Sequence, residues 1–165
     1  MEYKNYIPMK TTLTAFILAF SMLALNAQEE NEKNFQQRFV GVWQQCILDN
    51  NVIKVDTINR RIDIDTINIQ TKNFYKYFGK GGDFNAFSVY PALSYIEITG
   101  TYEVDSDRYI ENVDNHSNPN FANKRVELPY MFYGDNYIML SYRLDNGYSF
   151  FEVWKRLPLY NTVRQ

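Results

Sequence analysis

The sequence contains one cysteine, Cys46, and one histidine, His116. A single cysteine forms no internal disulfide and cannot build a zinc site from several thiolates. The formal charge of −2 lacks the excess of Lys and Arg that a nucleic-acid-binding surface requires. After residue 27, no apolar run approaches the ~18 residues that indicate a transmembrane helix. The stability of this chain must therefore come from a hydrophobic core, for which its abundant aromatic residues are suited.

Residues 1–27 have the layout of a secretory signal peptide. Lys10 precedes the apolar stretch Thr11–Ala27 (TTLTAFILAFSMLALNA), which ends in small residues before the polar Gln28. This stretch is shorter than the ~20 residues that span a bilayer, which favours cleavage over a retained membrane anchor. A lipoprotein would need Cys in place of Gln28. We expect cleavage after about Ala27, a periplasmic or secreted location, no membrane span after cleavage, and one domain over residues 28–165.

The mature region reads mainly as strands. A short helix is predicted over about Glu29–Arg38, where an acidic start precedes two phenylalanines four residues apart. The period of the apolar residues then changes to two, and the segments are rich in Tyr, Phe, Ile and Val, as strands prefer. The predicted strands are Val40–Leu48, Arg61–Gln70, Lys72–Phe78, Phe84–Tyr90, Tyr95–Val104, Arg108–Val113, Lys124–Tyr133, Tyr137–Leu144 and Tyr148–Arg156.

The connections between these strands predict an antiparallel meander. Most of them are short and rich in Gly, Asp and Asn, which form tight turns, whereas Asn115–Asn123 is a longer polar loop. Closing such a meander into a tube removes its exposed edges without crossing connections. We therefore predict an all-β fold, an antiparallel up-and-down β-barrel of about 8–10 strands with a short N-terminal helix. The near-repeat of Val55–Asn59 in Ile64–Asn68 is interpreted as similar strand patterning or chance.

Two motifs resemble the lipocalin and fatty-acid-binding (calycin) pattern. Gly41-Val42-Trp43 follows the predicted helix, and Val153-Trp154-Lys155-Arg156 ends the last strand. The resemblance implies barrel closure by Gly41, by the indole of Trp43 at the closed end, and by a basic residue across the ring, with Arg156 preferred to Lys155.

Further segments are similar to lipocalin-like domains of exported, uncharacterised proteins of Gram-negative bacteria. The likeness covers residues 35–157 and rests on Gly41–Cys46, Gly100–Glu103 with Ser106-Asp107, Met131–Tyr133 and Glu152–Arg156. The stretch Asp49–Asn68 departs from that pattern, which places the first strands in question. The resemblance implies a fold and export, and no agreed ligand or reaction.

The leading functional hypothesis is an exported binding protein for a small hydrophobic or amphipathic molecule. Strand alternation suggests that a polar residue on an apolar inner face orients the ligand, and it selects Glu111 and Glu152 as polar anchors. The predicted ligand-lining aromatic residues are Tyr75, Phe87, Tyr102, Tyr109, Tyr142 and Phe150. In the competing structural interpretation, Glu111 and Glu152 bind no ligand: they pair with nearby Arg or Lys residues, or face solvent at the strand ends.

Two other functions stay open. A barrel without a cavity would act as an interaction module, with Tyr95, Tyr133 and Tyr137 docking an exported protein or a glycan. An enzyme is less favoured, because it requires Glu111 and Glu152 to share a pocket within acid–base range.

Neither a catalytic residue, a metal site nor a cofactor is predicted. His116 lies in a polar loop, no Gly-x-Ser-x-Gly turn presents a nucleophile, and Cys46 has no obvious activator. The aspartate pairs Asp63/Asp65 and Asp105/Asp107 provide too few oxygens for Ca²⁺ and are interpreted as a solvated strand face and turn formers.

Overall fold

The computed structural model describes residues 34–56, 58–59, 61–143 and 149–158. The chain divides into two compact units, residues 1–34 and 35–165, and the described residues lie almost entirely in the second. Residues 34–39 are helical, so the C-terminal part of the predicted helix is present, while its first residues lie outside the described part. No helix in the described ranges is long and apolar enough to cross a bilayer. The predicted signal peptide also lies outside the described residues.

Within the described ranges, ten strands follow the helical residues, and eight of them close into one antiparallel barrel. The barrel strands are β1 (Gly41–Cys46), β4 (Thr71–Phe78), β5 (Asp83–Val89), β6 (Ser94–Val104), β7 (Arg108–His116), β8 (Lys124–Tyr133), β9 (Tyr137–Arg143) and β10 (Ser149–Arg156). Their order around the barrel is β1-β10-β9-β8-β7-β6-β5-β4. The remaining strands, β2 (Ile53–Asp56) and β3 (Arg61–Ile64), pair only with each other.

The ring closes because β1 pairs with both the last strand and β4. Trp43 lies opposite Arg156 on β10, and Gly41 lies opposite Phe78 on β4. The other neighbours are consecutive in sequence, which gives the up-and-down meander. The prediction of an antiparallel barrel with a short N-terminal helix is confirmed, with a strand number at the lower end of the expected range.

The strands present two different faces. One face contributes side chains from all eight barrel strands to a single apolar cluster, and in a closed barrel only the interior brings them together. This interior cluster includes Trp43, Phe78, Phe84, Tyr102, Tyr109, Leu128, Ile138 and Trp154. The opposite face of β1, β9 and β10 contributes Cys46, Tyr137, Met139 and Val153 to a second cluster with Ile53, Ile62 and Ile64 of the β2–β3 hairpin. The hairpin therefore packs on the outside of the barrel.

The prediction of one long strand over Arg61–Gln70 is wrong, because only Arg61–Ile64 of this range forms β3. β3 ends at Ile64, because the Asp65 carboxylate accepts the backbone N–H groups of Ile67 and Asn68 at 3.0 and 3.3 Å and forms a turn. The Asn68 amide also donates to this carboxylate at 2.7 Å, and these hydrogen bonds lower the pKa of Asp65.

The near-repeat in this region is a repeated turn. Asp56 accepts from the backbone of Ile58 and Asn59 as Asp65 does nine residues later, and the Asn59 amide donates to Asp56 at 2.7 Å. The interpretation as strand patterning or chance is therefore wrong. The same local hydrogen bonds place Ile58 at the tip of its turn, 91% exposed.

An aromatic plug fills the barrel at the end where the helical residues enter, which we call the helix end. Phe39 is fully buried, with its ring centroid 5.1–5.6 Å from those of four rings: Phe78, Tyr109, Tyr130 and Phe132. The indole Nε1 of Trp43 donates to the Phe39 carbonyl at 2.7 Å, which fixes the helical residues to the first strand.

Arg156 ties together the segments that meet at the helix end. Its guanidinium lies 4.2 Å from the ring centroid of Trp43 and donates to the carbonyls of Arg38, Val40 and Asp135. Gly41 has a φ of +135°, and a Cβ there would lie 3.1 Å from this guanidinium. Only glycine gives the chain this conformation beside the stacked arginine without strain.

We expect Trp43→Ala to lower the free energy of unfolding by about 3–5 kcal/mol, since it removes a fully buried indole and leaves a cavity under Arg156. Urea denaturation followed by far-UV circular dichroism measures the loss. Ile58→Ala, at an exposed turn, is the control and should change the value by less than about 0.5 kcal/mol. Equal effects of the two substitutions would contradict the role of Trp43 in closure.

Candidate ligand-binding site

The end of the barrel opposite the helix end, which we call the far end, is where β4, β6, β8 and β10 begin. Several of its inward-facing side chains are only half-buried, whereas most of the rings of the aromatic plug are buried. These half-buried residues are Phe74, Ile98, Val126, Tyr142, Phe150 and Glu152. An inward-facing side chain of a closed barrel reaches solvent only if the interior is open at that end. The barrel is therefore packed at the helix end and accessible at the far end.

A carboxylate and three aromatic rings lie on adjacent strands of this accessible interior. Phe150 and Tyr142 face each other across β10 and β9, and their rings stack with centroids 4.7 Å apart and an interplanar angle of 2°. Glu152 is the next inward residue on β10, and its Oε2 accepts the Tyr142 hydroxyl and the Trp154 indole N–H, both at 3.1 Å. Burial and the charges of Glu152 and Glu111 raise the pKa of Tyr142, which keeps its hydroxyl a donor.

A buried ion pair lies deeper in the barrel. The Lys76 ammonium is 3% exposed and binds the Glu111 carboxylate, which is 5% exposed and also accepts the Tyr109 hydroxyl at 2.6 Å. Four aromatic rings surround the ammonium, with centroids 5.2–5.9 Å from Nζ: Phe78, Phe84, Tyr109 and Trp154. Carboxylate and rings together stabilise a cation inside an otherwise apolar interior.

A cavity of about 350 Å³ lies beside β6 and β7 at the far end. Its walls include Glu97, Ile98 and His116, and the Glu97 carboxylate accepts the hydroxyl of the buried Ser88 on β5. A β-bulge opposite β5 separates Ile98, which packs on the interior cluster, from the exposed Ile96. A larger groove of about 420 Å³ on β7–β9 is bordered by Arg108, Met131 and Met139 among others, and Met131 and Met139 belong to the outer cluster.

The predicted lining residues divide into three groups. Tyr142, Phe150 and Glu152 lie together in the accessible interior. Tyr102, Tyr109 and Glu111 are interior but buried, and Tyr102 belongs to the plug, where its hydroxyl donates to the Gly79 carbonyl at 2.8 Å. Tyr75 and Phe87 stack at 5.5 Å on the outer face, since they alternate with the buried Lys76 and Ala86. We therefore leave Tyr75 and Phe87 out of the site.

Sequence reasoning missed Lys76 and Phe74 as parts of the interior. On β4, Tyr75 and Tyr77 are as aromatic as Phe74 and Phe78, so the apolar pattern does not distinguish the two faces. The pairing of β4 with β1 identifies the inner face of β4. Lys76 lies opposite Trp43, and the buried position of Trp43 was predictable.

The remaining polar candidates take structural roles. Nδ1 of His116 accepts the backbone N–H of Asn118 at 2.9 Å, next to a 3-10 turn over Pro119–Phe121. Cys46 lies on the face opposite Trp43, beneath the hairpin, and burial raises the pKa of its thiol to about 11. Asp105 accepts the backbone N–H groups of Asp107 and Arg108 and so forms a turn. The described residues contain no group of three or more His, Cys, Asp or Glu side chains arranged to hold a metal ion.

Of the tyrosines predicted to dock a partner, only Tyr95 is exposed. Tyr137 is 5% exposed and Tyr133 half-buried, because both pack in the outer cluster with the β2–β3 hairpin. Their prediction as a docking surface is wrong for this physical reason, since a face turned outward from a barrel can still be covered by another part of the chain.

Residues 38–163 match the sequence model of a family described as "Domain of unknown function (DUF4488)". No curated protein matches the chain.

We expect Lys76→Met to lower the free energy of unfolding by about 3–5 kcal/mol, because it leaves the Glu111 carboxylate buried without its cation. The double variant Lys76→Met/Glu111→Gln should recover most of this loss, since glutamine still accepts the Tyr109 hydroxyl. Urea denaturation of both variants tests the pair, with the exposed Lys80→Met as control. A double variant no more stable than the single one would contradict the coupling.

Proposed function

This chain belongs to the DUF4488 family, and we propose that it is an exported binding protein that holds a small amphipathic molecule in the far end of its barrel. An eight-stranded barrel is wide enough either to be filled by its own side chains or to hold one small ligand. In this barrel, side chains fill the helix end, and the far end holds the ligand. The apolar part of the ligand lies against Phe74, Ile98 and Phe150, and its polar part lies beside Glu152.

One observation carries this proposal: several inner-face side chains are half-buried at the far end, whereas Phe39 and most of the rings around it are buried at the helix end. Leaving apolar side chains such as Phe74 and Phe150 accessible forgoes stabilisation of about 1.5–3 kcal/mol for each complete burial. A ligand that covers them recovers the part of this free energy that corresponds to their exposed surface. The apolar surface of the ligand itself, buried at the same time, supplies the rest of the ~−8 kcal/mol of micromolar binding.

The enzyme alternative requires two carboxylates that act on one substrate. Glu111 is bound to Lys76 and Tyr109 and is nearly inaccessible, so Glu152 alone of that pair faces the open interior. Binding without chemistry is the function that this arrangement supports best.

Docking of another protein is a second candidate, favoured by apolar side chains around the β5–β6 connection at the far end. Tyr90, Leu93, Tyr95 and Ile96 are all more than two-fifths exposed there. Exposed apolar clusters commonly contact partners.

Export is the part of the proposal that rests on residues 1–27. When the full-length chain is produced in a Gram-negative host, the mature protein should be recovered from the periplasm or medium with Gln28 as its first residue. Intact-mass spectrometry measures this. Recovery of uncleaved chain in the cytoplasm would contradict export and leave ligand binding to be tested separately.

Ligand binding is tested with the neutral fluorescent probe N-phenylnaphthylamine. We expect saturable fluorescence enhancement by the protein, and a loss of affinity of about tenfold or more in Ile98→Trp, whose larger side chain fills the inner face. Leu93→Trp is the control, because it also replaces an aliphatic side chain with an indole, and Leu93 is 62% exposed in the β5–β6 connection.

Thermal unfolding of both variants establishes that they are folded. If neither variant changes the binding of the probe, the probe does not occupy the barrel. If Leu93→Trp alone weakens the binding, the exposed surface at the β5–β6 connection is the site, and the docking candidate is favoured.

A further inference from the structure

We infer that the polar part of the ligand is a cation, an ammonium group carried on an apolar chain, and that Glu152 and the surrounding aromatic rings recognise it. This inference rests on the proposed binding function and specifies its ligand class. Its basis is a half-buried carboxylate inside the barrel with no cationic partner among the described residues.

As far as the structure describes the chain, one of the two carboxylate oxygens of Glu152 is free to accept hydrogen bonds from a ligand. Both donors within the described residues, the Tyr142 hydroxyl and the Trp154 indole, bind Oε2. Every fully buried polar side-chain atom in the described part of the chain has a hydrogen-bond partner. The second oxygen, Oε1, receives no donor there and is therefore open to the accessible interior. Two neutral donors stabilise a carboxylate less than a cation does.

The barrel already contains one example of the proposed recognition. The Lys76 ammonium is held by a carboxylate, Glu111, and by rings with centroids within 6 Å of its Nζ. Glu152 repeats this arrangement nearer the far end, where Tyr142, Phe150 and Trp154 provide the rings. Among the described residues, no Lys or Arg side chain takes at Glu152 the place that Lys76 takes at Glu111. An ammonium of the ligand completes the arrangement at Glu152, with the carboxylate neutralising its charge and the ring faces replacing part of its hydration.

An anionic ligand head is the opposite expectation, and the charges disfavour it. The interior cation Lys76 is committed to Glu111, so it is not available to a ligand carboxylate. Lys72 and Lys124 are exposed where β4 and β8 begin, at the rim of the far end and in contact with water. A carboxylate placed beside Glu152 would meet a like charge in a partly desolvated site.

Three probes with the same octyl chain separate the alternatives: octyltrimethylammonium, octanoate and octanol, each titrated below its micelle concentration by calorimetry. We expect the ammonium probe to bind about tenfold or more tightly than octanoate, with octanol between them. In Glu152→Gln, which keeps an acceptor for Tyr142 and Trp154, the affinity for the ammonium probe should fall by about tenfold. The affinity for octanol should stay unchanged.

Glu103→Gln is the matched control, because Glu103 is exposed on the outer face of β6. It should alter none of the three affinities. Equal binding of all probes, or tighter binding of octanoate, would overturn the cation inference and leave the binding function in place. An ammonium affinity that Glu152→Gln does not lower would also overturn it. Absence of binding for all three probes, together with absence of N-phenylnaphthylamine binding, would overturn the proposed function itself.

Discussion

The structure depends on the closure of its strand ring at β1. This strand hydrogen-bonds to β10 on one side and to β4 on the other, and the stack of Arg156 on Trp43 lies where the first and last strands meet. The same guanidinium binds the carbonyls of Arg38 and Val40, so closure of the barrel and docking of the helical residues are one interaction. Arg38 and Val40 flank Phe39, so these hydrogen bonds hold Phe39 at the centre of the aromatic plug.

Closure divides the interior into two parts with different physical character. At the helix end, aromatic rings pack against Phe39 and exclude water. At the far end, the inner face includes Glu152 and half-buried rings that nothing in the described part of the chain covers. The ion pair of Lys76 and Glu111 lies between these regions, where neither charge would be stable alone. The barrel is thus packed at one end and accessible at the other.

The outside of the barrel is also partly covered, which changes how its surface is interpreted. The β2–β3 hairpin buries Tyr137 and Met139, whereas two turns with the same hydrogen-bonding pattern leave Ile58 and Ile67 exposed. The outward orientation expected for Tyr133 and Tyr137 is correct, since both lie in the outer cluster. The sequence pattern contained no information about what lies on top of them, because the hairpin reaches this face through long-range packing.

The sequence by itself determined the antiparallel barrel, since alternating strands joined by short turns leave few other ways to bury so many aromatic residues. It also identified Trp43 with Arg156 through the resemblance, and it placed Tyr142, Phe150 and Glu152 on apolar strand faces, which the pairing of β9 with β10 brings together. Only the tertiary structure decided the rest: the outward position of Tyr75, the ion pair of Lys76 with Glu111, and the separation of packed from accessible interior. Where both faces of a strand are aromatic, the two-residue alternation does not indicate which face is inside. The inner face is set by pairing with strands that are distant in sequence when the barrel closes.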